Sequence, residues 1–589
     1  MVSIPFGLNR DLQLLEGVLA LKRNGRDTIA LQLQRHAEHG AERLFLSFAE
    51  RRYTYGEANA IINRHAYAYK VLGIGPGDVV ALVLDSRPEY VFHVLALHKI
   101  GAVASLVNHH VTGDGLAHAL RICRPKHIVV GSENWPAFAE IHDRLAGLAD
   151  DQIDVDVDPD QPCDVDAPVF QDRLVDASTS NPPEAGSQAL DSQAAFIYTS
   201  GTTGLPKAAR VSHMRMYRAG RVWAGVGFRY RPGDVLYICL PLYHSNAMLL
   251  GLSSAITAGV AVALARRFSA AQFWEDIRRF RCTSFLYIGE LCRYLVKAPP
   301  AATDREHGLR SISGNGLRPD IWEIFRDRFA ISRIVEFYGS TEGNCVTLNG
   351  PGVPGSVGPL LPGMALARWD SETEDFVRDR RGFVVKARRG ESGVLLGRTS
   401  NSLAFEGYQD DRETEGKLLH SVFKEGDCYF NTGDLLRVDH RFLLYFVDRL
   451  GDTFRWKGEN VATLEVQEQI RRCSSVEEVT VYGVQIPGTD GRAGMAALVI
   501  AQGERFDPVS FAAHVDNTLP NYARPVFVRV LRRLETTCTF KVKKADLQRQ
   551  GFDPTACTDL LLFRHPESRE YVPLDPGLHE AILSGRFSL

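Results

Sequence analysis

The chain has 589 residues, 45% of them hydrophobic and 24% charged, with a formal net charge of −3. That length is too great for one hydrophobic core, so several packed subdomains are expected, with the composition of a soluble globular protein. The charge balance argues against a nucleic-acid binder, which needs a basic face. From the N-terminus, MVSIPFGLNRDLQLLEG lacks the basic-then-apolar pattern of a signal peptide. Residues from about 40 to 130 alternate helical and strand-like patterns. DVVALVLD and KHIVVG read as buried strands, and RPEYVFHVLALHKIGAVAS reads as a helix followed by a strand. Such alternation predicts an α/β architecture with parallel strands. The stretch Asp150–Asp166 holds eight aspartates. As an EF-hand it fails at Pro159 and Val165, so a solvated acidic loop is expected, continuing through ASTSNPPEAGSQ as a disordered-type segment. The ten cysteines form no Cys-x-x-Cys pair, which predicts reduced thiols in a cytosolic protein without a zinc site.

IYTSGTTGLPKAAR, Ile197 to Arg210, has the small residues, hydroxyls and lysine of an anion cradle. It is not a Walker loop. Pro206 lacks the N–H that must face a phosphate, and Ala208 has no hydroxyl for Mg²⁺. The preceding AAFIYTS predicts a short buried strand. In PLYHSN, His244 ends an apolar strand, where a lone histidine is most often a core residue. From Asn246 to Ala265 there is no charge for 20 residues, which is membrane-spanning length. Its glycines and hydroxyls instead predict a buried helix, a turn near Gly259 and a short strand VAVAL. EFYGSTEGN gathers hydroxyls and the acid Glu342 after a strand. The residues themselves allow either a plain turn or a site for a phosphate and its metal. In NTGDLLRVD, Asp434 follows a tight turn where a carboxylate can accept two ribose hydroxyls. The pattern changes near VDRLGDTFRWKGEN. Beyond it a helix ATLEVQEQIRRC, a strand EEVTVYGV and a helix PVSFAAHVDNTL predict a small α+β domain. TFKVKKADL offers Lys541, Lys543 and Lys544, with nothing local to distinguish a catalytic lysine from a solvated one.

The order YTSGTTGLPK, LPLYHS, GNGLRPD, EFYGSTEGN, NTGD, VDRLGDTFRWKGEN, TFKVKK resembles the adenylate-forming superfamily over nearly the whole chain. YIGELCRYL, SGNGLRPDIW, DTFRWKGENVAT and the ending REYVPLDPGLHEAILSGRFSL resemble its fatty acid transport protein / very-long-chain acyl-CoA synthetase branch. Animal members add an N-terminal membrane segment; lacking one, this sequence is similar to bacterial-type members. The resemblance implies an α/β fold with a large N-terminal domain, residues 1–449, made of stacked α/β subdomains and a small β subdomain. A mobile α+β C-terminal domain, residues 450–589, would follow. It implies a ligase that joins a long-chain fatty acid to coenzyme A through an acyl-adenylate, with ATP and Mg²⁺. The alternatives are an acyl-AMP ligase loading a carrier protein and a membrane-associated uptake protein with coupled ligase activity. In either setting the protein would be cytoplasmic, at most peripheral on a membrane.

By the same resemblance, Thr199, Ser200, Gly201, Thr202, Thr203, Gly204 and Lys207 bind the ATP phosphates. Glu342 holds Mg²⁺ and Thr341 lies near the α-phosphate. Gly314, Asn315, Gly316 and Tyr338 flank the adenine, and Asp434 and Arg449 hold the ribose. His244 stands where acyl pocket and adenylate meet. Lys541 bridges carboxylate and α-phosphate, although CTFK lacks the usual glycine before its lysine. Lys457, Gly458 and Glu459 serve the coenzyme A step, and the pivot between the steps is Gly451 or Asp452.

Overall fold

The computed structural model describes residues 14, 17, 18, 20–145, 150–161, 166–200, 205–370, 373–400, 404–457, 459–489, 491–537 and 542–587, the side chains of 150, 200 and 460 excepted. The chain forms two compact units. One comprises Met1–Pro359 with Thr399–Leu418, the other Leu360–Arg398 with Leu419–Leu589. The expected junction at 449/450 falls inside the second unit, directly after the strand Leu443–Arg449.

The first unit is built on two mixed sheets. In the six-stranded sheet the order is Ile153–Asp156, His127–Gly131, Val79–Val83, Val103–Leu106, Gln193–Ser200, Pro206–Ser212, and only the last pairing is antiparallel. Val80–Val83 and His127–Gly131 are buried throughout, as continuous apolar strands covered on both faces should be. Helix Pro88–Lys99, opened by a proline in its first turn, buries every residue but Glu89. In the eight-stranded sheet six neighbours run parallel: Arg333–Tyr338, Ser311–Asn315, Ser284–Ile288, Val235–Ile238, Ala261–Leu264 and Leu44–Phe48. In open α/β sheets ligands gather beyond the carboxyl ends of such strands.

The charge-free run folds as the sequence predicts. A π-helical stretch Asn246–Leu252 leads into helix Ser253–Ala258, which stops at Gly259 with φ of 66° and turns into strand Ala261–Leu264. A left-handed C-terminal residue suits glycine, which has no Cβ to clash. No helix among the described residues is long and apolar enough to cross a membrane.

Within the acidic stretch, residues 153–158 are not a solvated loop. Ile153–Asp156 is a buried strand. Asp154 pairs with His127 (2.8 Å) and Arg173 (2.7 Å), Asp156 with Arg87 (2.6 Å) and His93 (3.0 Å), and Asp158 with Arg266 (2.7 Å). Buried charges need such partners. All but Arg173 are far away in sequence, so composition alone reads them as solvated. The segment after it is ordered too: Asn181 accepts from Asn59, Asn63 and the buried Lys99. Burial pushes the Lys99 amine down to about 7.

In the second unit Met364–Ala367, Ser392–Arg398, Cys428–Val438 and Leu443–Arg449 form an antiparallel sheet. A five-stranded sheet follows in the order Val476–Val484, Ala493–Ile500, Phe527–Leu531, Leu560–Arg564, Tyr571–Pro573. Helices Thr463–Ile470 and Pro508–Thr518 contribute Val466, Ile470, Phe511 and Val515 to its core. These are the helix–strand–helix elements read from the sequence.

Candidate active site

In the first unit the hairpin Gln193–Ser200/Pro206–Ser212 closes at the pairs Thr199↔Lys207 and Ser200↔Pro206. Its tip, with Gly201, Thr202, Thr203 and Gly204, lies outside the described residues, as does the Ser200 side chain. Lys207 is mostly buried and forms an ion pair with Glu413. Glu413 reaches it on a strap that runs along the second strand of the hairpin. Arg210 N–H donates to the Gly407 carbonyl (3.0 Å) and Gln409 N–H to the Ala208 carbonyl (2.8 Å). The same strap carries the buried Tyr408, whose ring lies under the Lys207 amine (6.0 Å to the centroid); burial first, then the Glu342 charge, pushes its hydroxyl up.

The predicted adenine-side residues come together at two neighbouring strand ends, in register Gly314↔Glu336. Gly314 and Asn315 end one strand and Tyr338 ends the next. Packing there is backbone on backbone. A Cβ on Gly314 would lie 2.1 Å from the Tyr287 carbonyl oxygen, and one on Gly289 would lie 1.7 Å from that of Gly316. Glu336, fully buried, accepts from Gly316 N–H (3.0 Å), Leu317 N–H (2.9 Å) and Tyr287 hydroxyl (2.6 Å), and burial pushes its carboxyl up to about 8. Just beyond Tyr338, Thr341 shares a hydroxyl hydrogen bond with Ser245 (3.0 Å), and Asn246 donates to Asn315 (2.9 Å). Ser340, Thr341 and Glu342 offer hydroxyl and carboxylate oxygens, the residue chemistry that suits Mg²⁺ and not a soft metal.

His244 follows the strand Val235–Ile238 and belongs to a histidine cluster that the sequence did not reveal. His109 and His110 lie at the end of the neighbouring sheet's strand Val103–Leu106. His109 contacts Asp85 (3.3 Å) and packs edge-on against Tyr243 (5.2 Å between centroids), whose ring lies 4.4 Å from that of His244. Burial first, then the His109 and His110 charges, pulls His244 down to about 4, so it is a neutral imidazole at pH 7. Glu413, Tyr408 and Glu336 were likewise missed. Each is ordinary in its local sequence and acquires its meaning from a partner at least 20 residues away.

The second unit carries its own predicted residues. Asp434 and Arg449 are direct cross-strand partners, 3.6 Å apart, and Gly433 before the aspartate has φ of 74°. Gly451 is exposed, with nothing within 4 Å of where a Cβ would stand, and Asp452 meets Lys544 at 3.6 Å. Below them the buried Asp448 accepts from Thr463 N–H (2.5 Å) and hydroxyl (3.0 Å), tying this strand end to the next helix. Lys457, with φ of 53°, and Glu459 are exposed on the hairpin Phe454–Trp456/Glu459–Val461. Gly458 and Lys541 lie outside the described residues.

Residues 33–408 match the profile of the AMP-binding enzyme family and residues 465–541 that of the AMP-binding enzyme C-terminal domain. The chain is 41% identical to the medium/long-chain-fatty-acid–CoA ligase FadD6 of Mycobacterium tuberculosis, over 97% of this chain and 94% of that protein. It is 40% identical to long-chain fatty acid transport protein 1 of Mus musculus, over 97% and 90%. Among solved structures, an anthranilate CoA ligase, AuaEII, in complex with anthranoyl-AMP shares the fold with a TM-score of 0.77 at 21% identity, covering 90% of this chain and 98% of that one. ATP-bound MatB from Rhodopseudomonas palustris does so with a TM-score of 0.74 at 23% identity, over 88% and 98%. With these matches along its length, the chain belongs to the AMP-binding enzyme family.

Proposed function

We propose that the chain is an ATP-dependent long-chain fatty acyl-CoA synthetase that works through an acyl-adenylate. The observation that carries this reading is the near-full-length likeness to a fatty-acid–CoA ligase. A fatty-acid carboxylate attacking the α-phosphate brings anion to anion. Two unit charges about 4 Å apart repel by roughly 4 kcal/mol at an effective dielectric near 20. In the proposed mechanism Lys541 bridges the two anions and Thr341 hydrogen-bonds the phosphate. Lys207 and the hydroxyls of the 199–204 loop hold the β- and γ-phosphates, so Lys207 must exchange Glu413 for phosphate. Glu342 would hold Mg²⁺, which when bound neutralises the leaving pyrophosphate. Asp434 and Arg449 hold the ribose, and Gly314–Gly316 with Tyr338 flank the base. Neutral His244 borders the acyl group without adding charge to an apolar channel. The apolar segments Ala247–Ala265 and Phe285–Leu295 are proposed to line that channel; π-helical turns such as Asn246–Leu252 are frequent at functional sites.

Thioester formation then needs the lysine withdrawn so that the thiol can approach. We assign the pivot to Gly451–Asp452, with residues 450–589 as the moving part and Lys457–Glu459 serving the second step. The setting proposed is cytoplasmic, peripheral on a membrane where the insoluble substrate resides. There esterification would trap the fatty acid, which is how the uptake reading joins the ligase reading.

The test is AMP release over a panel of acyl chains, with and without coenzyme A. Palmitate-length chains should exceed acetate by at least about a hundredfold in kcat/KM, since several methylenes at up to tenfold each are available. Equal efficiency on both would remove the long-chain assignment. Turnover with a carrier protein but not with coenzyme A would favour an acyl-AMP ligase.

A further inference from the structure

Three consecutive-turn carbonyls in the first unit converge on one guanidinium. Arg215 donates from Nη1 to the Glu342 carbonyl (3.1 Å), and from Nη2 to the carbonyls of Ser340 (3.1 Å) and Gly343. Its own base is fixed. Ser212 caps the helix His213–Val222 by accepting Arg215 N–H (3.1 Å), and Ser212 N–H and hydroxyl both donate to Glu406 (2.7 and 2.6 Å). That helix follows directly on strand Pro206–Ser212, which carries Lys207. The turn is held on its other sides by Gly343 N–H on the Ser340 hydroxyl (3.1 Å) and by the Ser245–Thr341 bond.

Two physical consequences follow. In a trans peptide the carbonyl and the next N–H point in opposite directions, and there is no cis peptide bond among the described residues. Drawing the Ser340 carbonyl onto Arg215 therefore turns Thr341 N–H to the far side of the turn. Second, Arg215 is satisfied by neutral carbonyls: among the described residues no carboxylate pairs with it, so its full positive charge stays beneath the turn that bears Thr341 and Glu342. A planar fork of five donors can span three carbonyls; a lysine, with three donors on one nitrogen, cannot reproduce that geometry.

We propose that Arg215 is the positioning residue of the nucleotide site. It fixes the Ser340–Gly343 turn so that Thr341 N–H and hydroxyl and the Glu342 carboxylate are presented as one surface to the polyphosphate and its cation. It also ties that surface to the strand that carries Lys207. The inference rests on the synthetase reading for the identity of the ligand, and on the three hydrogen bonds alone for the fixing of the turn.

The experiment compares wild type, Arg215→Ala and Arg215→Lys by three measurements. Hydrogen exchange in the free protein reads the turn without any catalysis. Exchange in the 339–345 segment of both variants should quicken about tenfold or more, with the two sheets unchanged. Pyrophosphate release with palmitate, ATP and Mg²⁺ should fall roughly 100-fold in kcat/KM for ATP in both variants, the loss expected for charge-assisted hydrogen bonds. Conversion of supplied palmitoyl-adenylate to palmitoyl-CoA should stay within about threefold, because the polyphosphate has left by then. Added guanidinium ion should restore part of the first half-reaction to Arg215→Ala and none to Arg215→Lys. Unchanged exchange at 339–345, an unchanged first half-reaction or an equal loss in both half-reactions would overturn the assignment. So would quickened exchange throughout the unit, the sign of a purely structural role. Should Arg215→Ala not fold, Arg215→Lys carries the same three measurements. A wild type that releases no pyrophosphate with any fatty acid would instead overturn the synthetase reading, and hydrogen exchange with Mg²⁺-ATP binding would still judge Arg215.

Discussion

The two units assemble their candidate residues by different means. In the second, Asp434 and Arg449 sit opposite each other on adjacent strands of one hairpin, and Asp452 lies three residues on. A chain of about twenty residues brings them together. In the first, Lys207, Glu342, Asn315 and His244 come from different strand ends of two sheets. They are held by contacts such as Lys207–Glu413 and Arg215–Glu342, which span 206 and 127 residues. Local pairing survives small changes nearby, whereas a site built from distant strand ends depends on the integrity of the whole unit.

That contrast is most strongly exposed by acid. In the first unit burial pulls His98, His109 and His244 down to about 4 and His65 to about 3, all from 6.5. The unfolded chain then binds more protons between those values, so the stability these groups contribute is full above pH 6.5 and is lost as pH falls toward 4. Each histidine contributes on the order of 2 kcal/mol to that loss. Glu336, raised to about 8, acts oppositely: its contribution is present below about 4.5 and lost as pH rises through 8. The first unit should be most stable near pH 6.5 and should lose hydrogen-exchange protection before the second at pH 4.5. Simultaneous loss in both would contradict the comparison.

Single substitutions sharpen it further. Glu342→Gln should lower the adenylation rate about a thousandfold, the scale of removing a preorganised transition-state charge partner, with a raised Mg²⁺ requirement. Supplied acyl-adenylate should still be thioesterified. Gly289→Ala forces a Cβ to within 1.7 Å of the Gly316 oxygen, a backbone atom that cannot step aside. A loss of about 3 kcal/mol in urea unfolding is expected, together with a higher KM for ATP. Asp434→Asn should raise KM for ATP only about tenfold, as for one charge-assisted hydrogen bond, leaving the first unit's exchange pattern intact. Gly451→Ala, at an open position without positive φ, should change stability by less than about 0.5 kcal/mol. A large loss there would mean that the proposed pivot is a packing site.

The sequence was most informative where a reading depended on near neighbours. Strand Gln193–Ser200, helix Pro88–Lys99, the interrupted run Asn246–Leu264 and the elements after residue 460 all follow from local periodicity and glycine placement. So does the turn before Asp434, which needs a residue able to adopt positive φ at Gly433. The order of the motifs carried the family. The acidic stretch was misread for the opposite reason. Asp154, Asp156 and Asp158 are charged residues whose burial is compensated by Arg87, His93, His127, Arg173 and Arg266, and alternating aspartate and valine is equally compatible with water.

What the sequence by itself determined, then, is the run of secondary structure, the family and the residue types offered to a nucleotide. Only the tertiary structure decided that Glu413 is the counter-ion of Lys207, that Tyr408 packs against the Lys207 amine, that His109 lies beside Asp85 near His244, and that Arg215 gathers three carbonyls. The physical reason is range. Backbone conformation and amphipathic pattern are set within a few residues, but the electrostatic partner of a buried charge is set by strand order, and parallel strands bring together residues that the chain separates by a hundred or more.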